Sequence, residues 1–148
     1  MSHASLPLTR GLLRVSKWSD TPELLVKFKD MPKPVKLPNL EMLGKQLDLP
    51  EESVEWKLPN YDCNYLIKMM PPFIMLGDTV FFFGLMTANM DEDPNYVAAY
   101  YHYSPIGPDG EMIPATYLQQ KDKTPQDALA KLLFQLFIEG HIWKIESN

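Results

Sequence analysis

Thr124-Pro-Gln-Asp-Ala-Leu-Ala-Lys-Leu-Leu-Phe-Gln-Leu-Phe-Ile-Glu-Gly140 is the stretch on which the fold turns. Thr124 is a good N-cap, Pro125 suits the first helical position and Asp127 can complete a capping box. Gly140 is a natural stop. Between these ends Asp127, Lys131, Gln135 and Glu139 form one narrow polar stripe at i, i+4 spacing. Ala128, Leu129, Leu132, Leu133, Phe134, Leu136, Phe137 and Ile138 occupy the rest. A helix with so thin a polar face is either sunk in a core or shared with a partner. Core burial is the first expectation and a dimer or partner surface the second.

Such a helix needs a sheet to cover, and the residues before it supply one. Phe73–Leu76 and Thr79–Thr87 are apolar runs separated by Gly77-Asp78, which predicts a tight hairpin. Phe81, Phe83 and Leu85 face one way, and Val80, Phe82 and Met86 the other. A strand apolar on both sides is expected at the centre of its sheet, covered on both faces. Tyr96–Ser104 continues the pattern, with Tyr96, Tyr100 and His102 opposite Val97, Tyr101 and Tyr103. Pro108-Asp109-Gly110 is a turn, and Ala115–Gln120 returns as the last strand. The expected fold is α+β: an antiparallel sheet of about four or five strands, packed by the C-terminal helix and shorter helices, in a single domain over 1–148.

The first half is punctuated by many of the 14 prolines, which favours short elements. Residues 1–10 read as a flexible arm. Leu12–Lys17 and Glu23–Asp30 alternate as two strands of a hairpin around Ser19-Asp20-Thr21-Pro22. Met31–Pro38 suits an extended polyproline connection. Asn39 can cap a short helix over Leu40–Leu49, Glu51–Lys57 can form another helical turn, and Asn60–Met70 places Tyr61, Tyr65, Leu66 and Met69 on one helical face.

Composition narrows the function. Hydrophobic residues make up 45% and the formal net charge is −5, so the chain is globular and acidic. A phosphate-binding groove needs a basic face, which argues against nucleic acid as a partner. Leu40–Leu58 looks superficially like a helix-turn-helix, but its second helix would offer Glu51, Glu52 and Glu55 to the groove. The one cysteine, Cys63, excludes an intrachain disulfide and a cysteine zinc site. Met1–Thr9 lacks a signal-peptide pattern, and Pro71–Met86 is too short to span a bilayer as a helix. The expected location is the cytoplasm, with no membrane contact.

Candidate chemistry is sparse. Of His3, His102 and His141, only His102 falls in a strand, among Tyr100, Tyr101 and Tyr103; a general base and a structural sheet histidine are both open there. Met90-Asp91-Glu92-Asp93 offers clustered oxygens for a hard cation, but without EF-hand spacing it reads as a solvated turn. Cys63 has no neighbouring histidine and reads as a small hydrophobe. No glycine-rich phosphate loop or nucleophile elbow is present. No catalytic residue, metal site or cofactor is therefore assigned. Aromatic residues are favoured at interfaces, so the candidate binding residues are Tyr100, His102, Tyr103, Trp143, Phe134 and Phe137.

The passage Ala115–Trp143 runs strand, Lys-Asp-Lys, then Thr-Pro-Gln-Asp-Ala-Leu-Ala-Lys-Leu-Leu. This cadence resembles the C-terminal end of small α+β accessory proteins carried by bacteriophages and prophages, where a short sheet is closed by such a helix. Antitoxin-like sheet domains use a similar step. The resemblance implies a small accessory or host-modifying protein that binds something, and it carries over no functional residue.

The leading expectation is thus a non-enzymatic interaction, inhibitor or accessory protein that binds a protein partner or itself. A second is a small-molecule binder or enzyme, its pocket between the aromatic strands and the C-terminal helix with Tyr100, His102 and Asp91 at the rim. A third is a DNA-binding regulator using the basic N-terminal third.

Overall fold

The computed structural model describes residues 3–45, 50–88, 95–105 and 112–142. Its elements run α1 (Leu6–Ser16), β1 (Glu23–Phe28), β2 (Val35–Pro38), β3 (Val54–Pro59), α2 (Cys63–Met69), β4 (Phe73–Leu76), β5 (Thr79–Ala88), β6 (Asn95–Pro105), β7 (Met112–Asp122) and α3 (Pro125–Ile138). Short 3-10 turns at Glu41–Leu43 and Glu51–Ser53 precede β3. The fold is α+β, with two antiparallel sheets ordered β2-β1-β3 and β4-β5-β6-β7. The four-stranded sheet packed by α3 matches the expected arrangement. The three-stranded sheet is additional.

Local chemistry explains α3. Thr124 Oγ1 accepts the Asp127 N–H at 3.2 Å, as a capping residue should. Ala128, Leu129, Leu132, Leu133 and Leu136 are fully buried, so α3 is a core helix rather than a helix given over to a partner. Asp127 departs from the polar stripe. It is buried, and its Oδ1 accepts the Ser5 N–H at 2.6 Å. The negative charge thus sits at the N-terminal ends of both α1 and α3, where helix dipoles favour it. Farther along the stripe, Lys131 reaches Asp122 at 2.5 Å. Partial burial works against the Asp122 carboxylate, but its bonds to Lys131 and to the Lys123 N–H prevail and hold it below the usual range.

The N-terminal segment corrects two expectations. Residues 3–10 are not a loose arm: Ala4 is fully buried, and its N–H donates to the Tyr61 carbonyl at 2.9 Å. Leu12–Lys17 is the last turn and C-cap of α1, not a strand, so the hairpin with β1 does not form. Instead β1 pairs with β2 and β3, and the Met31–Pro38 connection ends in the edge strand β2. The short window Leu12–Lys17 read as alternation. Over the whole of α1, Leu8, Leu12 and Val15 lie at helical spacing, and packing against α3 decides the conformation.

Gly11, inside α1, lies under the Phe134 ring; an added Cβ would stand 3.6 Å from it, ordinary contact. Gly11→Ala should therefore stabilise the fold by about 0.5–1 kcal/mol through helix propensity. A rise of the unfolding midpoint in a thermal melt checks this; a fall would show that the two helices cannot accept the methyl group.

In the middle of the chain α2 and the β4–β5 hairpin follow expectation and the segments before them do not. Asn39 Oδ1 accepts the Met42 N–H at 3.4 Å, but the element that follows is a single 3-10 turn rather than the expected helix from Leu40. Asn39 Nδ2 donates to the Ser19 and Thr21 carbonyls at 3.0 and 2.8 Å, pinning the loop before β1, and only the Glu41–Leu43 turn follows it before residues 46–49, which lie outside the described residues. Glu51–Lys57 divides into a 3-10 turn and most of β3. No helix-turn-helix arises over 40–58 among the described residues, since Val54–Pro59 is paired with β1. Asp62 caps α2 by accepting the Tyr65 N–H at 2.8 Å. The β4–β5 hairpin turns at Gly77, whose φ of 60° is the glycine position of a type II′ turn.

Candidate functional site

Antiparallel register sorts the four-stranded sheet into two faces, because directly opposed residues share a side. Phe83 lies opposite Tyr100 on the face that carries α3, with ring centroids 5.9 Å apart. Tyr100 is fully buried and donates its hydroxyl to the Pro71 carbonyl at 2.7 Å. On β7 a register shift opposite Tyr100 turns both Tyr117 and Leu118 toward this core. Tyr100, Leu118, Leu129, Leu132 and Leu136 pack together between helix and sheet, and a surface cavity of about 420 Å³ lies at the edge of this layer beside Leu8, Gln120, Lys131, Phe134, Gln135 and Ile138.

Among the described residues the opposite face is open over β4 and β5, whereas the outward Val97 and Ala99 of β6 are buried. Phe73 pairs with Phe82, Met75 with Val80 and Met86 with Val97, all pointing away from α3. Phe73, Met75, Phe82 and Met86 are 50, 57, 59 and 46% exposed. β5 is central in strand order, as expected, but it is not covered on both faces. Gly84 lies in this face beneath the Tyr101 ring, which an added Cβ would meet at 3.2 Å. The aromatic covers the bare backbone and leaves Phe82 and Met86 to solvent.

The four candidate residues whose side chains are described, Tyr100, His102, Phe134 and Phe137, do not converge. Tyr100 belongs to the core. His102 is half-buried on the α3 side, its Nδ1 3.3 Å from the Val80 carbonyl and its ring 5.8 Å from Phe81. For Tyr103 the structure describes backbone pairing with Pro114. Phe134 lies against α1, and Phe137 packs edge-on against Trp18 at 5.1 Å. Trp143, Asp91 and the rest of the acidic loop lie outside the described residues. What residue-by-residue reading missed is an aromatic row, His102–Phe81–Tyr117–His141, in which the Tyr117 hydroxyl lies 3.3 Å from His141 Nε2. His141 follows the helix stop, and its spacing gives no sign of a partner on β7.

Several buried and half-buried titratable groups are engaged in building the fold. Burial, then the bond from its hydroxyl to Asp20, raises the Tyr65 phenol far above its ordinary value. Burial does the same to Tyr61, whose hydroxyl donates to the Trp18 carbonyl at 2.5 Å, and to Tyr100. These phenols act as neutral donors at physiological pH. Burial and the neighbouring Asp62 raise the Cys63 thiol, which disfavours the nucleophilic thiolate. A surface cavity of about 320 Å³ lies beside Leu24, Leu58 and Asp20, and one of about 310 Å³ beside Asp62 and Tyr65; Asp20 and Met42 border both. Their charged walls are largely spoken for: Glu41 pairs with Lys57 at 3.3 Å, Asp62 caps α2, and Asp20 holds Tyr65. Among the described residues no helix is long and apolar enough to cross a membrane. Comparisons with protein-family models, curated proteins and solved structures find no match to this chain.

Proposed function

We propose that this chain is a non-enzymatic interaction protein that docks onto another protein through the open face of its four-stranded sheet. The observation that carries the reading is the contiguous apolar row Phe73, Met75, Phe82 and Met86. Scattered exposed apolar residues need no explanation, but Phe73 and Phe82, directly paired on neighbouring strands with Met75 and Met86 along the same face, form a patch of the kind that marks interaction sites. The engaged phenols and carboxylates support the non-enzymatic part of the reading. The C-terminal cadence suggests the role, an accessory or inhibitor protein of bacteriophage or prophage origin.

A photoreactive phenylalanine at position 82 tests the docking face, with Glu139 as a control position on an exposed helix end. The expected result in cells of the native host is a protein adduct of defined mass from position 82, absent from position 139 and reduced at least about fivefold by Met75→Asp, because a charge facing an apolar contact must be desolvated. No protein adduct from position 82, or equal yields from both positions, would overturn the reading.

A further inference from the structure

We infer that the occupant of the open sheet face is a second copy of this chain, the two faces stacking about a twofold axis. The inference rests on the docking role proposed above and names its partner. In a twofold interface both copies use the same patch, so a patch of net charge is set against its like. The chain as a whole carries −5, which opposes self-approach. Yet the described outward positions of β4, β5 and β6 hold no charged residue: Phe73, Met75, Val80, Phe82, Met86 and Tyr101 dominate them, and the nearest charge in the register is Lys121 on β7. The face is therefore electrostatically compatible with its own copy in a protein whose overall charge is not.

Area points the same way and sets the strength. Four large side chains about half exposed present about 400 Å² of apolar surface, which is about half of the ~800 Å² that each partner buries in a standard interface. Val80 and Tyr101, both half-buried, add little to this, so the patch is smaller than a standard interface. An interface of this size, apolar at the centre and without charged anchors, makes a reversible, concentration-dependent dimer rather than an obligate one. Stacked sheets pack about 10 Å apart, which lets Phe82 and Met75 of the two copies interdigitate.

Sedimentation velocity of the full chain over about 1 μM to 1 mM reads the outcome, a range that spans weak to moderate affinities. The expected result is a mean mass that climbs from one chain toward two. Phe82→Asp and, separately, Met75→Asp should hold it at one chain, raising the dissociation constant at least about tenfold. Both side chains point to solvent in the monomer, so circular dichroism and melting of the variants should match the parent; if either variant fails to fold, Met86→Lys replaces it. Raising salt from about 0.05 to 0.5 M should tighten the dimer, since it screens the overall repulsion without weakening an apolar contact. A single-chain mass at every concentration, or self-association unchanged in the folded variants, overturns the inference. A monomer that still gives a heterologous adduct from position 82 removes the second copy and leaves the docking role standing. A monomer with no adduct removes both.

Discussion

Leu132→Ala should lower the unfolding midpoint by about 5–15 °C, whereas Ile138→Ala on the same helix should shift it little. Leu132 is fully buried on α3, in the cluster that also holds Leu118, Tyr100 and Leu66. Removing a buried leucine side chain costs its transfer energy plus that of the cavity left behind, about 2–5 kcal/mol. For a chain of this size each kcal/mol moves the midpoint by about 2–4 °C. Ile138 is 65% exposed in the last turn, and surface truncations stay within about 0.5 kcal/mol. A thermal melt followed by circular dichroism compares the two directly. Equal shifts would mean that α3 is not the helix that closes the core.

Asp127→Ala carries the second largest effect, a loss of about 1–3 kcal/mol, because it strands a donor. The Asp127 carboxylate accepts the Ser5 N–H at 2.6 Å across 122 positions of chain, at the start of α1. Alanine leaves that N–H without its acceptor and removes the negative charge shared by the two helix starts. Asp127→Asn keeps an acceptor oxygen and should recover about half of the loss, since bonds to charged groups are roughly twice as strong as neutral ones. Hydrogen exchange adds a local readout: amides of α1 should exchange faster in the alanine variant than those of β5 and β6. Unchanged protection of α1 would show that the tether does not hold the N-terminal helix.

The two variants also mark where reading residues in order succeeds. Thr124, Pro125 and Gly140 act within a turn of where they stand, so the ends of α3 were legible, as were the Gly77 turn and a helix within Asn60–Met70, though not its Asp62 cap or its start beyond Tyr61. Asp127 was legible as part of a cap but not as the anchor of Ser5, a bond that requires two distant segments to meet. Leu12–Lys17 misled because a six-residue window holds fewer than two helical turns, and the apolar partner that settles it, α3, lies more than a hundred positions away. His141 was invisible as a partner of Tyr117 for the same reason. The open sheet face was half legible: the alternation of β5 was correct, and the inference that both its sides were covered was not.

By itself the sequence determined the α+β class, the capped C-terminal helix and the alternating strands before it, because these follow from interactions among near neighbours. Only the tertiary structure decided that α1 is a helix tethered by Asp127, that a second sheet forms around β1, and that Tyr100 is sealed while Phe82 is bare. Two residues on opposite sides of one strand pattern read alike when both are apolar. Which of them meets a helix depends on how many layers the chain can place against its sheet, and the described elements put α3 on one face of β4–β7 and leave Phe73, Met75, Phe82 and Met86 open to solvent on the other.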